Sequence, residues 1–299
     1  GAARRPMAHL AKAGRHQFPR TLRRRAAGAG RLVRLIAEGE PVHINIWDAD
    51  LERLAKRSLE AAGVPLAKVQ FHPFRAYEPW CRDHGPVFVK NKTGRAIVDW
   101  DYNAWGKKYS PYENDNKIPT RIASARGLVC HTPGMVLEGG SIEVNGQGTL
   151  LTTESCLLNP NRNPNLTKGD IEQRLRENLG VTNILWLGNG IVGDDTDGHI
   201  DDLTRFVNEH TVVTAVEEDE SDENHQPLLE NLERLQTMQT QDGKPLNIVK
   251  LPMPGPVFFQ SERLPVRRSC LEREGRILCR WLRDLLLPRH RLHRDSPQS

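Results

Sequence analysis

The sequence lacks any long apolar run. No stretch approaches the roughly 18 consecutive apolar residues that a membrane-spanning helix needs. The Arg-rich start is not followed by the apolar stretch and small-residue cleavage site of a secretion signal. These absences predict a chain with no membrane partner that works in the cytoplasm.

Paired cysteines are also missing. The five cysteines are odd in number, irregularly spaced and never arranged as Cys-x-x-Cys; they are Cys81, Cys130, Cys156, Cys270 and Cys279. Such a pattern predicts neither a disulfide framework nor a zinc knuckle, so free thiols are expected.

Acidic residues are absent from the first 35 residues, which hold 10 Lys and Arg. Residues 261–299 hold 10 Arg and 5 acids, so the central residues 36–260 carry a net charge of −11. Basic ends on an acidic body are compatible with a nucleic-acid tail, although no interleaved aromatic residues or binding module accompany them. An alternative hypothesis is that these Arg-rich, Lys-poor ends come from GC-rich DNA translated out of frame.

The chain between the ends alternates helix and strand patterns. Val42–Trp47 reads as a strand, Asp48–Ala62 as a helix capped by Asp48, and Val69–Phe71 as a second strand. Similar alternation recurs, with helices at 171–179 and 226–238 and strands at 139–152, 184–187, 211–216 and 246–251. An α/β architecture with a built-in repeat is therefore predicted. The acidic run 217–223 is interpreted as a solvated loop.

The segment Gly193–Asp202 contains the clearest chemical pattern. In a strand, residues two apart share a face, so His199 and Asp201 are predicted to address one cavity. A carboxylate beside an imidazole favours a raised His pKa and a fixed orientation, as a general acid and base requires. Two alternatives stay open: a surface turn of hydrated acids, and a metal site built from Asp194, Asp195, Asp197, His199 and Asp201.

Five motifs carry a resemblance over residues 32–264. They are Trp80-Cys-Arg-Asp-His-Gly-Pro86, Glu138-Gly-Gly140, Thr152-Thr-Glu-Ser-Cys-Leu-Leu-Asn-Pro-Asn-Arg-Asn-Pro164, Trp186-Leu-Gly-Asn-Gly190 and Asp195-Thr-Asp-Gly-His-Ile-Asp201. With them the chain resembles the agmatine deiminase and bacterial-type peptidylarginine deiminase family of guanidine-modifying penteins. The resemblance implies an α/β propeller of five modules around a pseudo-fivefold axis, here incomplete at the C-terminus.

The resemblance also implies residue roles. Asp83 and Asp201 match the carboxylates that bind a guanidinium group, and His199 matches the general acid and base that protonates departing ammonia. Two carboxylates suit a planar fork of donors. Trp80 matches a ring lying along the substrate, with a plain core tryptophan as the alternative. Glu138–Gly140 is expected to shape the channel wall without a catalytic role for Glu138, and neither a metal nor an organic cofactor is implied.

The nucleophile is the missing part of the pattern. In this family a cysteine thiolate attacks the guanidine carbon, ammonia leaves, and water hydrolyses the thiouronium to a ureido product. Its Gly-Gly-x-x-His-Cys-x-Thr type motif has no counterpart in this sequence, and none of the five cysteines fits it. The expected organisation is an aberrant basic segment at 1–31, a partial deiminase-like domain at 32–264, and an aberrant Arg-rich tail at 265–299.

The predicted function is therefore that of an amidine hydrolase converting agmatine to N-carbamoylputrescine and ammonia in polyamine synthesis, in a chain expected to be inactive if no other cysteine serves. The alternatives are peptidyl-arginine deimination, a non-catalytic guanidine-binding remnant, and nucleic-acid binding through the Arg-rich ends. The leading reading involves no nucleic acid and allows a homo-oligomer. The sequence leaves open the choice of substrate, the origin of the ends and the oligomeric state.

Overall fold

The fold is an α/β arrangement of small mixed sheets and short helices, as predicted. The computed structural model describes residues 19–92, 94–255, 257–259 and 262–264. Two compact units divide the chain, Gly1–Gly139 and Gly140–Ser299. The predicted tail at 265–299, with Cys270 and Cys279, lies outside the described residues, as do residues 1–18 of the predicted basic segment.

Helices and strands alternate throughout both units. The helices are α1 (Pro19–Gly39), α2 (Ala49–Ala61), α3 (Cys81–His84), α4 (Ala104–Lys107), α5 (Ile118–Arg126), α6 (Glu154–Leu157), α7 (Lys168–Leu179) and α8 (His225–Thr237), with 3-10 turns at Leu66–Lys68, Gly139–Ser141 and Ile200–Asp202. The strands are β1 (Val42–Asn45), β2 (Val69–His72), β3 (Val87–Lys90), β4 (Arg95–Val98), β5 (Val129–His131), β6 (Glu143–Val144), β7 (Thr149–Thr153), β8 (Asn183–Leu187), β9 (Thr204–Phe206), β10 (Thr211–Val216), β11 (Asn247–Pro252), β12 (Val257–Phe259) and β13 (Glu262–Leu264).

Three sheets repeat one plan. In β3–β4–β5, β6–β7–β8 and β9–β10–β11, an antiparallel pair is followed by a strand parallel to its second member. The parallel partner is reached through a helix, because parallel strands need a crossover of a dozen or more residues. The two remaining described sheets are partial versions: β1–β2 is the parallel pair alone, and β12–β13 is the antiparallel pair alone. This is the repeat that the alternating sequence pattern predicted.

The first helix pair packs through a glycine contact. A Cβ placed on Gly30 would lie 2.7 Å from the Cβ of Ala62, so only glycine allows α1 to approach the end of α2 this closely. Ala37, Leu59 and Val69 form the small core below this contact. Helix α1 begins at Pro19, so it starts before residue 31, where the sequence predicted the boundary of the domain. The predicted cap is confirmed, since the Asp48 side chain accepts from the Leu51 backbone N–H at 2.8 Å.

A hydrophobic core among the described residues of the second unit includes part of the His199 segment. Its buried members come from strands, from α8, from one 3-10 turn and from the residue before β11; they are Leu151, Leu185, Leu187, Ile200, Val212, Leu235 and Leu246. Ile200 is fully buried and stands between His199 and Asp201 in the sequence. Burial of Ile200 in this core therefore fixes the backbone between His199 and Asp201, the two predicted site residues.

One predicted strand proved to be two. Residues 139–152 were expected to form a single strand, but the structure has a 3-10 turn, β6, a tight reversal and then β7. Gly146 and Gly148 have positive φ angles of 76° and 119°, which an extended strand does not use. The Asn145 side chain accepts from the backbone N–H groups of Gln147 and Thr149 and closes the turn.

Two further observations concern the helices and the acidic run. None of the described helices combines the length and the apolar character that crossing a bilayer requires. The acidic run 217–223 is an exposed to half-buried loop, as predicted.

Candidate active site

In the first unit, the chain presents Trp80 and Asp83 on a short helix. Trp80 is the residue immediately before α3 and is 51% exposed. A core tryptophan would be buried, so that alternative is wrong. Asp83 lies in the first turn of α3 and is half-buried. The ring and the carboxylate of this motif are thus both accessible for contact with a ligand.

The Asp83 carboxylate is held by a second tryptophan. The Trp105 indole N–H donates to Asp83 Oδ2 at 3.1 Å. Trp105 belongs to α4, whose four residues all have positive φ, so that this turn is left-handed. Three of the four are not glycine, and such residues pay a conformational cost for that geometry. The buried indole of Trp105 stacks edge-on against Tyr102, which fixes the donor aimed at Asp83.

The Glu138-Gly-Gly140 motif lies against the same helix. A Cβ on Gly139 would clash with the carbonyl oxygen of Arg82, so glycine is required where the two motifs meet. This is the close backbone approach that the sequence predicted for the glycines. Glu138 is fully buried.

A group of carboxylates surrounds one buried phenol in the first unit. Burial, followed by the charges of Asp115, Asp83, Glu138 and Glu78, raises the pKa of Tyr102. Asp115 is fully buried, and its Oδ1 accepts from the Tyr77 and Glu78 backbone N–H groups at 2.6 and 3.5 Å. These bonds fasten the segment that leads into Trp80 and Asp83. The combined negative charge favours a cationic ligand near Asp83.

In the second unit, His199 and Asp201 form a close pair. His199 Nδ1 lies 4.0 Å from Asp201 Oδ1, and the His199 residue is only 2% exposed. The predicted strand is wrong, because Ile200–Asp202 is a 3-10 turn with His199 at its N-terminal end. The tight turn nevertheless brings the two side chains together. A hydrated surface turn is also excluded, since His199, Gly198 and Ile200 are buried.

The neighbouring aspartates have structural contacts. Asp194 accepts from the backbone N–H of Thr196 at 2.9 Å and of Gly198 at 2.8 Å. Asp197 accepts from Arg162 at 2.5 Å and from Asn161 at 3.0 Å. These contacts favour a loop-forming role for the two carboxylates over the metal-site alternative.

Two of the described cysteines, Cys81 and Cys130, lack the character of an activated thiolate. Burial and the charge of Asp115 raise the pKa of Cys81, and burial and Asp99 raise the pKa of Cys130. Cys156 is fully buried in α6, not in the strand-like setting expected, and its sulfur lies within 4.8 Å of a His199 ring nitrogen. A raised pKa disfavours the nucleophilic thiolate form.

Sequence reasoning missed the residues that support these side chains. Trp105, Asp115 and Thr153 had no assigned role, and Arg162 was noted only as part of a motif. The sequence around Asn161-Arg162-Asn163-Pro164 gave no signal of this role, because the burial of Arg162, which requires a partner, appears only in the folded structure.

The repeated β-β-α-β modules and the close His199–Asp201 pair define an α/β protein with a site suited to a cationic group. The profile of the Porphyromonas-type peptidyl-arginine deiminase family matches residues 7–267. The chain belongs to this family.

Individual relatives carry related names. The chain is 37% identical to the agmatine deiminase of Ectopseudomonas mendocina over 237 residues, which are 77% of this chain and 63% of the relative. It is similar to a substrate-bound agmatine deiminase structure from C. jejuni (TM-score 0.73, 30% identity, covering 83% of this chain and 70% of that one). It is also similar to the agmatine deiminase of Enterococcus faecalis (TM-score 0.70, 30% identity, 80% and 68%). The chain spans 62–64% of the length of the curated relatives it matches.

Proposed function

We propose that this chain binds the guanidinium group of agmatine and belongs to a hydrolase that converts agmatine to N-carbamoylputrescine and ammonia. The observation that carries the proposal is the pair of buried His199 and half-buried Asp201, with 4.0 Å between Nδ1 and Oδ1. Family membership and the names of the relatives support this choice of substrate. The three free cysteines among the described residues suit the reducing cytoplasm.

The proposed roles follow from the chemistry of the side chains. Asp83 and Asp201 pair with the guanidinium by charge-assisted hydrogen bonds, and the exposed Trp80 ring lies along the delocalised cation. His199 acts as general acid and base, giving a proton to departing ammonia and taking one from the attacking water. Repeated modules support the proposed five-module propeller, of which this chain carries part.

Turnover requires a thiolate that adds to the guanidine carbon before ammonia leaves. The sequence holds five cysteines without the family's nucleophile motif. A guanidine-binding chain without turnover is therefore the second candidate, and the raised pKa values of Cys81 and Cys130 favour it. If turnover occurs, Cys156 is the first cysteine to replace, since it lies beside His199.

The first prediction tests guanidinium binding in the full-length chain. Agmatine is expected to raise Tm, whereas putrescine, which lacks the guanidine, is expected to do so much less. Asp83→Asn should weaken agmatine binding by about 10- to 100-fold in calorimetry, because a hydrogen bond to a charged group contributes about 1.5–3 kcal/mol.

The matched control is Asp219→Asn, which removes the same charge from the exposed acidic loop. Equal losses for both variants would show that agmatine responds only to the overall charge, and the proposed site would be wrong. An ammonia-release assay beside His199→Ala then separates the hydrolase from the binding remnant. Preference for an arginine-containing peptide over agmatine would favour the peptidyl-arginine alternative.

A further inference from the structure

The loop that carries His199 is built from strained and closely packed backbone. Asp197 has a φ of 65°, in the left-handed region, and Gly198 has a φ of 93°. A Cβ on Gly190 would clash with Gly198, so the Trp186–Gly190 motif presses directly on the residue before His199. Strained backbone of this kind persists only where the surroundings hold it, so the groups that hold it set the position of His199.

A buried arginine holds one side of this loop. The Arg162 side chain is fully buried, and its Nη1 donates to Asp197 Oδ2 at 2.5 Å. Its Nη2 donates to the Thr196 carbonyl at 2.9 Å. The planar fork of a guanidinium is needed to make both bonds at once, and a lysine ammonium cannot reproduce that geometry. Arg162 thus fixes two consecutive residues of the loop, Thr196 and Asp197.

A buried hydroxyl holds the other side. Thr153, at the end of β7, donates from Oγ1 to the Gly198 carbonyl at 2.6 Å. That carbonyl belongs to the peptide bond whose nitrogen is His199 N. The same nitrogen donates to Thr196 Oγ1 at 3.2 Å. Two hydrogen bonds therefore hold the peptide bond before His199. Thr153 donates to its carbonyl oxygen, and Thr196 accepts from its N–H.

We propose that Thr153 and Arg162 are positioning residues for His199: they fix the Thr196–Gly198 backbone and thereby the place of the imidazole. The inference rests on the role of His199 in the proposed function. It assigns a purpose to the Thr152–Pro164 motif, because both residues lie in that run and neither is given a role in the chemistry. Small displacements of a catalytic group weaken its action strongly.

The chain offers a matched control for Thr153 in its neighbour. Thr152 is equally buried and donates from Oγ1 to the Ser141 carbonyl at 2.8 Å, away from the His199 loop. Thr152→Val and Thr153→Val each remove one buried hydroxyl bonded to a carbonyl while keeping the side-chain shape. Both are expected to lower Tm by about 2–8 °C. Thr153→Val is expected to lose more, because Thr153 also caps α6.

The decisive measurements are ones that a general loss of stability does not change. In the full chain labelled at histidine, the His199 imidazole signals, assigned with His199→Gln, should shift in Thr153→Val and remain in place in Thr152→Val. Thr153→Ser, which keeps the hydroxyl, should restore them. Because Asp201 follows His199 in the same 3-10 turn, agmatine binding should also weaken, about 10-fold in Thr153→Val and less than 2-fold in Thr152→Val.

Equal behaviour of the two valine variants in the imidazole signals would overturn the inference. If the parent chain binds no agmatine, the proposed function fails, while the imidazole signals still decide whether Thr153 positions His199. Should Thr153→Val not fold, Arg162→Lys takes its place, with the exposed pair residue Arg176→Lys as control. His199 signals that stay unchanged in Arg162→Lys would then contradict the inference.

Discussion

Replacing Arg162 by methionine is expected to lower the free energy of unfolding by about 3–5 kcal/mol. The guanidinium is fully buried and is bonded to Asp197, Asn161 and the Thr196 carbonyl. Arg162→Met leaves the half-buried Asp197 carboxylate partly desolvated and without its counter-charge. Urea denaturation of the two proteins, followed by circular dichroism, measures the difference.

The control is Arg176→Met, which breaks an exposed pair with Glu172 four residues earlier on α7. Exposed pairs of this kind contribute about 0.3–0.5 kcal/mol. Adding Asp197→Asn to Arg162→Met should recover part of the loss, because it removes the stranded charge. An Arg162→Met cost no larger than that of Arg176→Met would show that the buried pair does not hold the loop.

Removing the charge of Asp115 is expected to stabilise the chain increasingly as pH rises from 4 to 6. Burial raises the pKa of Asp115 from its usual 3.8 to about 6, against the opposing hydrogen bonds from Tyr77 and Glu78. The folded state therefore binds the proton more tightly than the unfolded state. The stability that this proton contributes is present below pH 3.8 and is lost as pH rises through 6.

The size of the effect follows from the pKa difference. A rise from 3.8 to about 6 corresponds to at most about 3 kcal/mol. The stability of Asp115→Asn relative to the parent chain should thus climb by up to about 3 kcal/mol between pH 4 and 6 and then level off. Denaturation of both proteins across this pH range gives the curve. The exposed Asp50→Asn is the control, and a flat Asp115→Asn curve would contradict the assigned pKa.

Local patterns predicted much of the fold, because they depend on neighbours in sequence. The cap at Asp48, the glycine end of α7 at Gly180 and the β10 strand at Thr211–Val216 all appear as expected. The pairing of His199 with Asp201 was also expected, although the wrong local geometry was assigned to it. Residues that are two apart in the sequence have side chains on the same face of a strand. Here the same spacing brings the two side chains together across one tight turn.

The misassignments have physical causes. Residues 139–152 were expected to form one strand, but Gly146 and Gly148 lie between β6 and β7, and their positive φ angles reverse the chain. Cys156 was expected in strand-like surroundings, but Thr153 caps a new helix just before it. Glycine backbone conformations override the expected strand in the first place, and a side-chain cap does so in the second.

The sequence by itself determined the α/β class, the repeat and the family, because periodicity and motifs are local properties of the chain. It also singled out Trp80, Asp83, His199 and Asp201. Only the tertiary structure decided what holds them: Trp105 against Asp83, and Arg162 and Thr153 around the His199 loop. These partners are 22, 35 and 45 residues away from the groups they bond, and a hydrogen bond over that separation exists only once the chain has folded.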